Sequence, residues 1–538
     1  MIAGSKVKEE TMALLRRGAL SLALCLTAAA AGAAPFEVSV VPSDDAALEQ
    51  PAPRDQELTA DQIAAMVRRA VDLVGGMAAV VPPEARLVVL KPNIVMAAPE
   101  GSGVVTDARV VRGVALLVHE VAPGARIVIA EASGGWADEA YRDSVAVDAH
   151  WADGFGISGY RAVAEELRAR GLDITCRDTN FDRTYTLAVP GGGLARPDYD
   201  VAATVIDADV LINCPVAKTH GAKITACLKN QFGMLPGLVY GWGKSDGTEH
   251  HAGIPHTARI LDEAFIDLIR VTGINFNVVD MIAGSEGGAF REAPKRSNLI
   301  VAGRDPIATD LVVARLMGFN PDDMEFADVG WQHGLGPRWI ENVAIRGGRD
   351  GTLDGLVSRF MKAGGDYGFQ GAWGEWGEHA DFDMGPRRWL LRGPLPRDHA
   401  LDPDQIAEMA PVPGRDGWSD AVWFGHDKID LDRYYGDPTN CAVYAFTRFT
   451  MTRSDSVRYW IGSDEGLTVW IDGEVIHQFE GRRRHRLGSV RQAGYLEAGE
   501  HRLLVRAEQS RGSFDFSFNV CEPIDDELYA GNRYPGVR

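Results

Sequence analysis

The first strongly periodic segment of the chain begins at Thr59, which with Gln62 has the sequence of a helix capping box. Apolar residues then recur with the spacing of one helical face, at Ile63, Met66, Val67, Ala70, Val71 and Val74. Gly75 and Gly76 follow, and glycine at this point favours the end of a helix. The pattern predicts an amphipathic helix between the capping box and the two glycines.

Farther along the chain, short apolar runs alternate with segments of helical periodicity. The strand-like runs lie at 86–90, 125–130, 173–176, 209–212, 276–280 and 298–302. Helical patterns lie near 107–121, 160–170 and 257–271. This alternation is typical of a largely parallel sheet with helices on both faces. We therefore expect an α/β domain over residues 34–345.

Five of the strand-like runs are followed directly by polar or glycine-rich sequence. The residues concerned are Lys91 with Asn93, Glu131, Asn213, Asp280, and the segment 303–306. In open α/β sheets, ligands bind beyond the carboxyl ends of the strands. The sequence thus predicts a binding crevice at one edge of the sheet, with all five loops around it.

The segment 213–230 is the most basic of these loops, in a chain whose formal net charge is -20. Lysine binds phosphate or carboxylate as a point charge, and asparagine can both donate and accept hydrogen bonds. Crowding and burial lower the pKa of a lysine, which suits base or Schiff-base chemistry, and histidine can carry protons. We predict catalytic roles for Lys218, His220 and Lys229. The predicted ligand-binding residues are Lys91, Asn93, Glu131, Asn213, Asn230, Asp280 and Asp310.

A structural alternative exists for the same lysines. They could be neutralised in a buried ion network by Glu131, Asp280, Asp305 and Asp310. Asp305 precedes Pro306 in the manner of a helix N-cap, a role that requires no ligand. Asp310 lies one turn later and is the better candidate to face the crevice.

The sequence changes character after residue 345. Residues 346–415 are rich in glycine, proline and tryptophan with little periodicity, which predicts a linker. Residues 416–538 contain short alternating strands, which predict an antiparallel β-sandwich of jelly-roll type. Cys441 and Cys521 lie in its first and last predicted strands, and we expect a disulfide between them.

The N-terminus resembles an export signal. Arg16 and Arg17 precede an apolar run at 20–31, and residues 31–33 have a small-x-small cleavage pattern. We expect a signal peptide at 1–33, with twin-arginine export suggested by the arginine pair and an uncleaved anchor as the alternative. No second apolar span follows in the sequence, so we expect a periplasmic or extracellular protein without a transmembrane domain after cleavage.

Several functional classes lack their sequence features here. The acidic charge balance argues against a nucleic-acid partner. The cysteines form no CxxC pair, so no iron–sulfur motif is present. The GxSxG, Walker and GxGxxG motifs are also missing from the sequence. The cofactor, if one is bound, stays unknown.

Three segments together resemble a known family. They are VVLKPNIV (88–95), INCPVAKTHGAKITACLKNQFG (212–233) and LIVAGRDPIATD (299–310). Their order and spacing are similar to the domain of unknown function 362, over about residues 85–340. The resemblance implies an α/β fold without a settled reaction. Many relatives append a ferredoxin-like iron–sulfur module, whose cysteine motifs this chain lacks.

A second similarity concerns histidines. His220 and Lys229, followed by His250, His251 or His256, resemble the layout of nickel-pincer lactate racemases. In that family a lysine anchors the cofactor and histidines complete the site. The last three histidines are therefore weak candidates for metal ligands, although the His-to-Lys spacing differs from that of the racemases.

The C-terminal segment YWIGSDEGLTVWIDGEVI (459–476) resembles protective-antigen-type sugar-binding β-sandwiches. The resemblance implies carbohydrate binding, but Asp464-Glu465 departs from the usual calcium-binding acid pair and could serve only to order a turn. The leading hypothesis is an exported protein whose α/β domain binds, and in its stronger form transforms, a small anionic or sugar-derived molecule. The alternative is a non-catalytic polysaccharide- or surface-binding protein with the α/β domain as scaffold.

Overall fold

The computed structural model describes residues 36–43, 58–220, 223–249, 251–256, 258–289, 294–349, 351–353, 355–360, 386, 388–424, 427–525 and 534–537. The predicted signal peptide at 1–33 lies outside the described residues. The chain divides into two compact units, Met1–Met317 with Met324–Ala363, and Gly318–Asp323 with Gly364–Arg538.

The first unit alternates strands with helices, as the apolar pattern predicts. Its strands are β1 (Phe36–Pro42), β2 (Leu87–Pro92), β3 (Arg126–Glu131), β4 (Ala137–Asp138), β5 (Trp151–Ala152), β6 (Ile174–Asp178), β7 (Thr184–Ala188), β8 (Asp198–Ala202), β9 (Val210–Cys214), β10 (Lys218–His220), β11 (Lys223–Thr225), β12 (Phe276–Ser285), β13 (Pro294–Gly303) and β14 (Val343–Gly347). Its helices are α1 (Ala60–Asp72), α2 (Ala108–Val121), α3 (Gly154–Ile157), α4 (Tyr160–Ala169), α5 (Ala203–Ile206), α6 (Cys227–Asn230), α7 (Gly237–Tyr240), α8 (Ala258–Thr272), α9 (Pro306–Leu316) and α10 (Glu325–Gln332).

The helix expected after Thr59 is α1. The Thr59 side chain accepts from the backbone N–H of Gln62, and the Gln62 side chain accepts from the backbone N–H of Thr59, so the capping box is formed. The apolar stripe of α1 is buried against the sheet together with residues of α2 and α4. On the other side of the sheet, Val89, Leu211 and Val279 are also buried. A sheet covered on both faces explains the continuous apolar runs in the sequence.

The main sheet has eight strands in the order β14-β1-β13-β12-β9-β2-β3-β6. Strands β12, β9, β2, β3 and β6 run parallel to one another. β13 runs antiparallel to both of its neighbours, β12 and β1. The prediction of a largely parallel α/β sheet is confirmed. The prediction that β13 sends its following loop the same way as the other strands is wrong, because the direction of β13 is reversed.

The register of the central strands brings polar residues side by side. Lys91 at the end of β2 pairs with Asn213 at the end of β9. Asn213 in turn pairs with Asn277, which lies near the start of β12. β12 therefore extends beyond the end of β9 and forms one wall beside the loops that follow β2 and β9.

The second unit consists of antiparallel strands. They are β15 (Arg388–Pro396), β16 (Val422–Trp423), β17 (Ile429–Asp430), β18 (Cys441–Met451), β19 (Asp455–Ser463), β20 (Leu467–Ile471), β21 (Glu474–Phe479), β22 (Val490–Leu496), β23 (Gly499–Gln509) and β24 (Asp515–Cys521), with the short helices α11 (Pro403–Ala407) and α12 (Leu431–Tyr435). One sheet has the order β16-β15-β18-β23-β20-β21 and the other β17-β24-β19-β22. Side chains from both sheets share one core, as in a β-sandwich.

Part of the predicted linker 346–415 belongs to this sandwich. β15 pairs with β18 over Leu390–Pro396, although Gly393, Pro394 and Pro396 weaken any strand pattern in the sequence. The pairing is interrupted by an irregularity between Arg392 and Leu395, where the glycine and the first proline lie. Trp389 and Leu391 are buried in the core, so tertiary packing overrides the local signal here.

The expected disulfide between Cys441 and Cys521 is not formed. The expectation assumed that the first and last strands are neighbours. Instead, β18 pairs with β15 and β23 in one sheet, whereas β24 pairs with β17 and β19 in the other. The two cysteines therefore lie in different sheets.

In the described part of the chain, no helix combines the length and the apolar character needed to cross a bilayer.

The role of β15 can be tested with Trp389→Ala. Removing this buried indole should destabilise the sandwich by about 3–5 kcal/mol, because it leaves a cavity beside Phe516. Urea unfolding monitored by circular dichroism measures the change. Arg388→Ala, at the exposed neighbouring position, is the matched control and should cost less than about 0.5 kcal/mol. Equal stability of the two variants would show that the segment acts as a linker after all.

Candidate functional site

A buried ion pair lies at the ends of β2 and β3. The Nζ of Lys91 donates to Glu131 Oε2 at 3.0 Å, to Asn230 Oδ1 at 3.2 Å and to the Pro92 carbonyl at 2.6 Å. Glu131 also accepts from the backbone N–H of Ile94 at 2.8 Å. Both charged side chains are almost completely buried. Burial lowers the pKa of Lys91, and the Glu131 carboxylate opposes this effect.

Asn230 connects this pair to the neighbouring strands. Its Nδ2 donates to the Lys91 carbonyl at 3.0 Å and to Asn213 Oδ1 at 2.8 Å. Its Oδ1 accepts from Lys91 and from Asn93 Nδ2, the latter at 3.1 Å. Three residues predicted from strand ends, Lys91, Asn93 and Asn213, thus meet around the side-chain amide of Asn230, itself predicted from the basic loop. Asn213 extends the network by donating to Asn277 Oδ1 at 3.0 Å.

Lys218 lies on β10 and is also buried. Its Nζ donates to Asn93 Oδ1 at 2.8 Å and to the Val104 carbonyl at 2.6 Å, so both acceptors are neutral. Burial lowers the pKa of Lys218 to about 7, and the nearby charge of Lys229 acts in the same direction. The ammonium of Lys218 is therefore held by dipoles rather than by a counter-charge.

Lys229 belongs to α6 and differs from the other two lysines because its side chain is partly exposed. Its Nζ lies 4.3 Å from the ring centroid of Phe232, a cation–π contact. Within the described residues, this ammonium makes no hydrogen bond and no salt bridge. Burial and the charge of Lys91 lower the pKa of Lys229 to about 7, while Glu131 opposes the shift.

A fourth lysine, Lys244, belongs to the same cluster and was not predicted from the sequence. Its buried Nζ donates to Asn180 Oδ1 at 3.2 Å. Burial lowers its pKa to about 7, and the charges of Glu131 and Lys91 also reach it. The site residues were predicted mainly from their positions just after strands. Lys244 instead lies in a turn and has a left-handed φ of 61°. A lysine inside the glycine-rich segment 241–247 was the available signal.

Two histidines lie close to Lys229. Burial lowers the pKa of His220 well below its usual value, and the charge of Lys229 adds to the effect. Burial likewise lowers the pKa of His256 to about 3, again with a contribution from Lys229. The His256 ring contacts Phe232 with centroids 5.3 Å apart. Both imidazoles are therefore neutral at pH 7.

The other weak metal candidates lie elsewhere. His251 pairs with Asp200 at 3.1 Å, and its other ring nitrogen is 3.0 Å from the Ala252 carbonyl. His250 is outside the described residues. Within the part of the chain that the structure describes, no three histidine, cysteine or acidic side chains are grouped as they would be around a metal ion.

Asp280 and Asp310 hold backbone groups rather than lysines. Asp280 accepts from the backbone N–H groups of Asp107 and Ile282, both at 2.8 Å. Asp310 accepts from those of Cys227 and Leu228 at 2.8 and 3.0 Å, and so caps α6. Burial raises the pKa of each carboxyl to about 7. Their predicted role in ligand binding stays a prediction, and what the structure shows is that their oxygens accept from the main chain.

Gly233 closes over the ion pair, and its position explains why no side chain is present there. A Cβ on Gly233 would lie 2.0 Å from Glu131 Oε1 and 2.5 Å from Lys91 Nζ. The carbonyl of Gly233 accepts from the backbone N–H of Ala132 at 2.8 Å. The turn that follows α6 can therefore approach β2 and β3 only with glycine at this position.

The sequence also allowed a structural alternative, in which buried acids neutralise the lysines. Among the described residues, only Lys91 is paired in this way, and Lys91–Glu131 is the single salt bridge formed by the four lysines. Asp305 caps α9 by accepting from the backbone N–H of Ala308 at 2.7 Å, as its sequence position predicts. The cluster is thus a group of four ammonium groups with one paired carboxylate.

Removing one partner of the ion pair provides a test of its role. Lys91→Met leaves Glu131 charged and buried, and should destabilise the first unit by about 3–5 kcal/mol. Adding Glu131→Gln removes the stranded charge, so the double variant should recover a coupling energy of about 0.5–3 kcal/mol. Urea unfolding gives both values. Lys229→Met strands no anion and serves as the control with the smaller cost. Strict additivity in the double variant would contradict the pairing.

The lysine cluster also predicts a pH dependence of stability. Folding lowers the pKa of Lys218, Lys229 and Lys244 to about 7, so between pH 7 and about 10 the unfolded chain binds protons that the folded chain does not. The free energy of unfolding should therefore rise with pH in this window, by up to about 1.4 kcal/mol per pH unit for each lysine. Below pH 7 the lysines are protonated in the folded and the unfolded chain alike, so their full destabilising effect on the folded state is present there.

Measuring the difference between two proteins isolates this contribution. Wild type and Lys218→Met/Lys229→Met are unfolded in urea at pH 7.0 and at pH 8.5, so that buried thiols and tyrosines contribute equally to both. The stability of the wild type should rise more steeply with pH than that of the variant. Parallel pH profiles would mean that these lysines keep ordinary pKa values.

Comparisons with known proteins agree with part of the sequence analysis. A curated thylakoid-associated protein of Synechocystis sp. is 26% identical over 294 residues, which is 54% of this chain and 80% of that protein. The lactate racemase apoprotein from Thermoanaerobacterium thermosaccharolyticum aligns with a TM-score of 0.32 and 10% identity, over 47% of this chain and 55% of that one. The PA14 domain of the MpAFP antifreeze protein gives a TM-score of 0.14 and 10% identity, over 17% and 49% of the two chains.

The two solved structures are too distant to support a functional argument, and the chain spans about half the length of each. The resemblance of the C-terminal sandwich to sugar-binding modules stays a prediction. The family resemblance of the α/β domain is confirmed. Residues 88–315, which contain the lysine cluster, match the family described as Domain of unknown function (DUF362).

Proposed function

We propose that the α/β domain binds a small anionic molecule, a carboxylate or a phosphate, at the cluster formed by Lys91, Lys218, Lys229 and Lys244. The observation that supports this proposal is the charge balance of the cluster. Four ammonium groups converge on a region in which Glu131 is their one salt-bridged carboxylate among the described residues.

Such an arrangement is unfavourable in the absence of a further anion. Burial removes water from the ammonium groups, and the lowered pKa values of Lys218, Lys229 and Lys244 reflect both this loss and their mutual repulsion. A bound anion would supply the missing negative charge and accept charge-assisted hydrogen bonds. Groups with strongly shifted pKa values on loops beside a sheet are typical of binding sites and active sites.

The neutral partners of the cluster also favour an anion. Lys218 and Lys244 are oriented by amide and carbonyl oxygens, namely Asn93 Oδ1, the Val104 carbonyl and Asn180 Oδ1. These acceptors fix the side chains without neutralising them, so the positive charge stays available to a ligand. Asp178 makes no salt bridge to Lys244 among the described residues, but its charge reaches that lysine and, with a pKa of about 6, offsets part of the positive charge at pH 7.

The proposal places this binding outside the cytoplasm, in keeping with the export signal predicted at 1–33. For the C-terminal sandwich, the sequence resemblance is the support for an accessory carbohydrate-binding role. Its Glu465 carboxylate already accepts from the Ser510 hydroxyl at 2.6 Å and from Arg482 Nε at 2.8 Å. This acid therefore orders the loops of the sandwich, and the α/β domain is the better-supported place for the ligand.

Isothermal titration calorimetry with oxalate and with inorganic phosphate tests the proposal. Lys218→Met and Lys244→Met should each weaken binding of the better anion by about 1.5–3 kcal/mol, because each removes one charge-assisted contact. Lys295→Met, which removes a partly exposed lysine of β13, is the matched control and should leave the affinity unchanged. Far-ultraviolet circular dichroism verifies that each variant is folded.

Two outcomes would contradict anion binding at the cluster. One is a wild-type protein that binds neither oxalate nor phosphate. The other is an affinity that falls equally in Lys218→Met, Lys244→Met and Lys295→Met, since this would indicate a general effect of net charge rather than a site.

A further inference from the structure

Lys229 differs from the other lysines of the cluster in two respects. Lys91, Lys218 and Lys244 are buried and donate hydrogen bonds to oxygen atoms. Lys229 is partly exposed, and the contact of its Nζ among the described residues is the face of Phe232 at 4.3 Å. An aromatic face leaves the nitrogen lone pair unengaged once the ammonium has lost a proton, so this amine is free to react.

The groups around Lys229 are suited to a reaction at that nitrogen. Its charge interacts with those of Lys91, Lys218 and Lys244, which can hold an anionic group of a ligand. The neutral imidazoles of His220 and His256 also lie close enough to feel the charge of Lys229. The neighbouring cations give the amine a means of holding an anionic substrate beside it.

We propose that Lys229 is a nucleophile that forms an imine with an anionic carbonyl compound, such as a 2-oxo acid or an aldehyde that carries a carboxylate. This inference rests on the proposed function, because the other three lysines must first bind the anionic group. It adds a covalent step and a substrate class to that function. The partial exposure of Lys229 makes it the lysine that an entering ligand meets.

The step balances without any additional reactant. The neutral Nζ of Lys229 adds to the carbonyl carbon, and the carbonyl oxygen takes up a proton to give a carbinolamine. Loss of this oxygen as water then breaks the C–O bond and leaves a C=N bond. The amine supplies the two hydrogens of the departing water, which reach the oxygen by exchange with solvent. No electrons are transferred.

The electrostatics of the cluster favour this chemistry at neutral pH. An ordinary lysine with a pKa near 10.4 is almost entirely protonated at pH 7 and is a poor nucleophile. Burial and the charge of Lys91 lower the pKa of Lys229 to about 7, so that the free amine is populated at neutral pH. The imine nitrogen then takes up a proton from solvent, and the carboxylate of the ligand would compensate for the resulting positive charge.

Borohydride trapping tests the inference. Full-length protein is incubated at pH 7 with glyoxylate, reduced with sodium borohydride, and analysed by intact-mass spectrometry and peptide mapping. We expect one reduced adduct per chain, located on Lys229. Lys229→Arg keeps a positive charge but cannot form an imine, so its labelling should fall at least tenfold. Lys295→Arg is the matched control and should be labelled as strongly as the wild type.

The other possible outcomes reject either the assignment to Lys229 or one of the two proposals. Labelling that spreads over exposed lysines, or that persists in Lys229→Arg, would overturn the assignment. Calorimetry of the wild type with oxalate, which has no aldehyde or ketone group, separates the two proposals. Oxalate binding without a glyoxylate adduct would reject the imine and leave anion binding intact. Failure of both probes would reject the two proposals together.

Discussion

The side-chain amide of Asn230 uses its full hydrogen-bonding capacity to join segments that are far apart in sequence. Its two donors bind the Lys91 carbonyl and Asn213, and its oxygen accepts from the Lys91 ammonium and from Asn93. The amide therefore connects the ends of β2 and β9 with α6. Because Lys229 precedes Asn230 in the chain, the same bonds also fix where the backbone of Lys229 lies. A buried amide with every group satisfied can hold only one arrangement without leaving a polar atom unpaired.

Within the described residues, Lys218 and Lys244 are held by neutral oxygens rather than by carboxylates. Carbonyl and amide dipoles take the place of water around Lys218 and Lys244, but they do not cancel the positive field. Further carboxylates paired with these lysines would neutralise the positive charge that the proposed anion compensates. The acids nearby are used differently: Asp310 caps α6, and Asp280 orders the backbone at Asp107 and Ile282. These acids thus order the backbone around the cluster and do not pair with its lysines among the described residues.

The pattern of apolar runs predicts the sheet and much of the cluster. Each run is long enough to span a buried strand, so the first polar residue after it marks the strand end, as at Lys91, Glu131 and Asn213. Parallel neighbours bring such residues together, which makes this part of the site predictable without coordinates.

Other features of the fold and the cluster could not be predicted, because they depend on contacts between segments that are distant in the sequence. The direction of β13 is decided by its connection to β12, and nothing in the run 298–302 distinguishes a parallel from an antiparallel strand. The roles of Asp280 and Asp310 depend on which backbone N–H groups lie beside them. Lys244 reaches the cluster through a left-handed turn, and β15 gains its place from the unpaired edge of β18 rather than from its own sequence. In each case the deciding partner is distant in the chain.

Because Gly233 lies so close to Lys91 and Glu131, substitutions at these three positions constrain one another during evolution. While the ion pair is present, any mutation that adds a side chain at residue 233 pushes a carbon atom into a carboxylate and an ammonium. Once a lineage has replaced both charged residues by smaller ones, the space opens and glycine is no longer required. Divergent descendants should therefore lose these three residues in a definite order, with the ion pair first and the glycine afterwards.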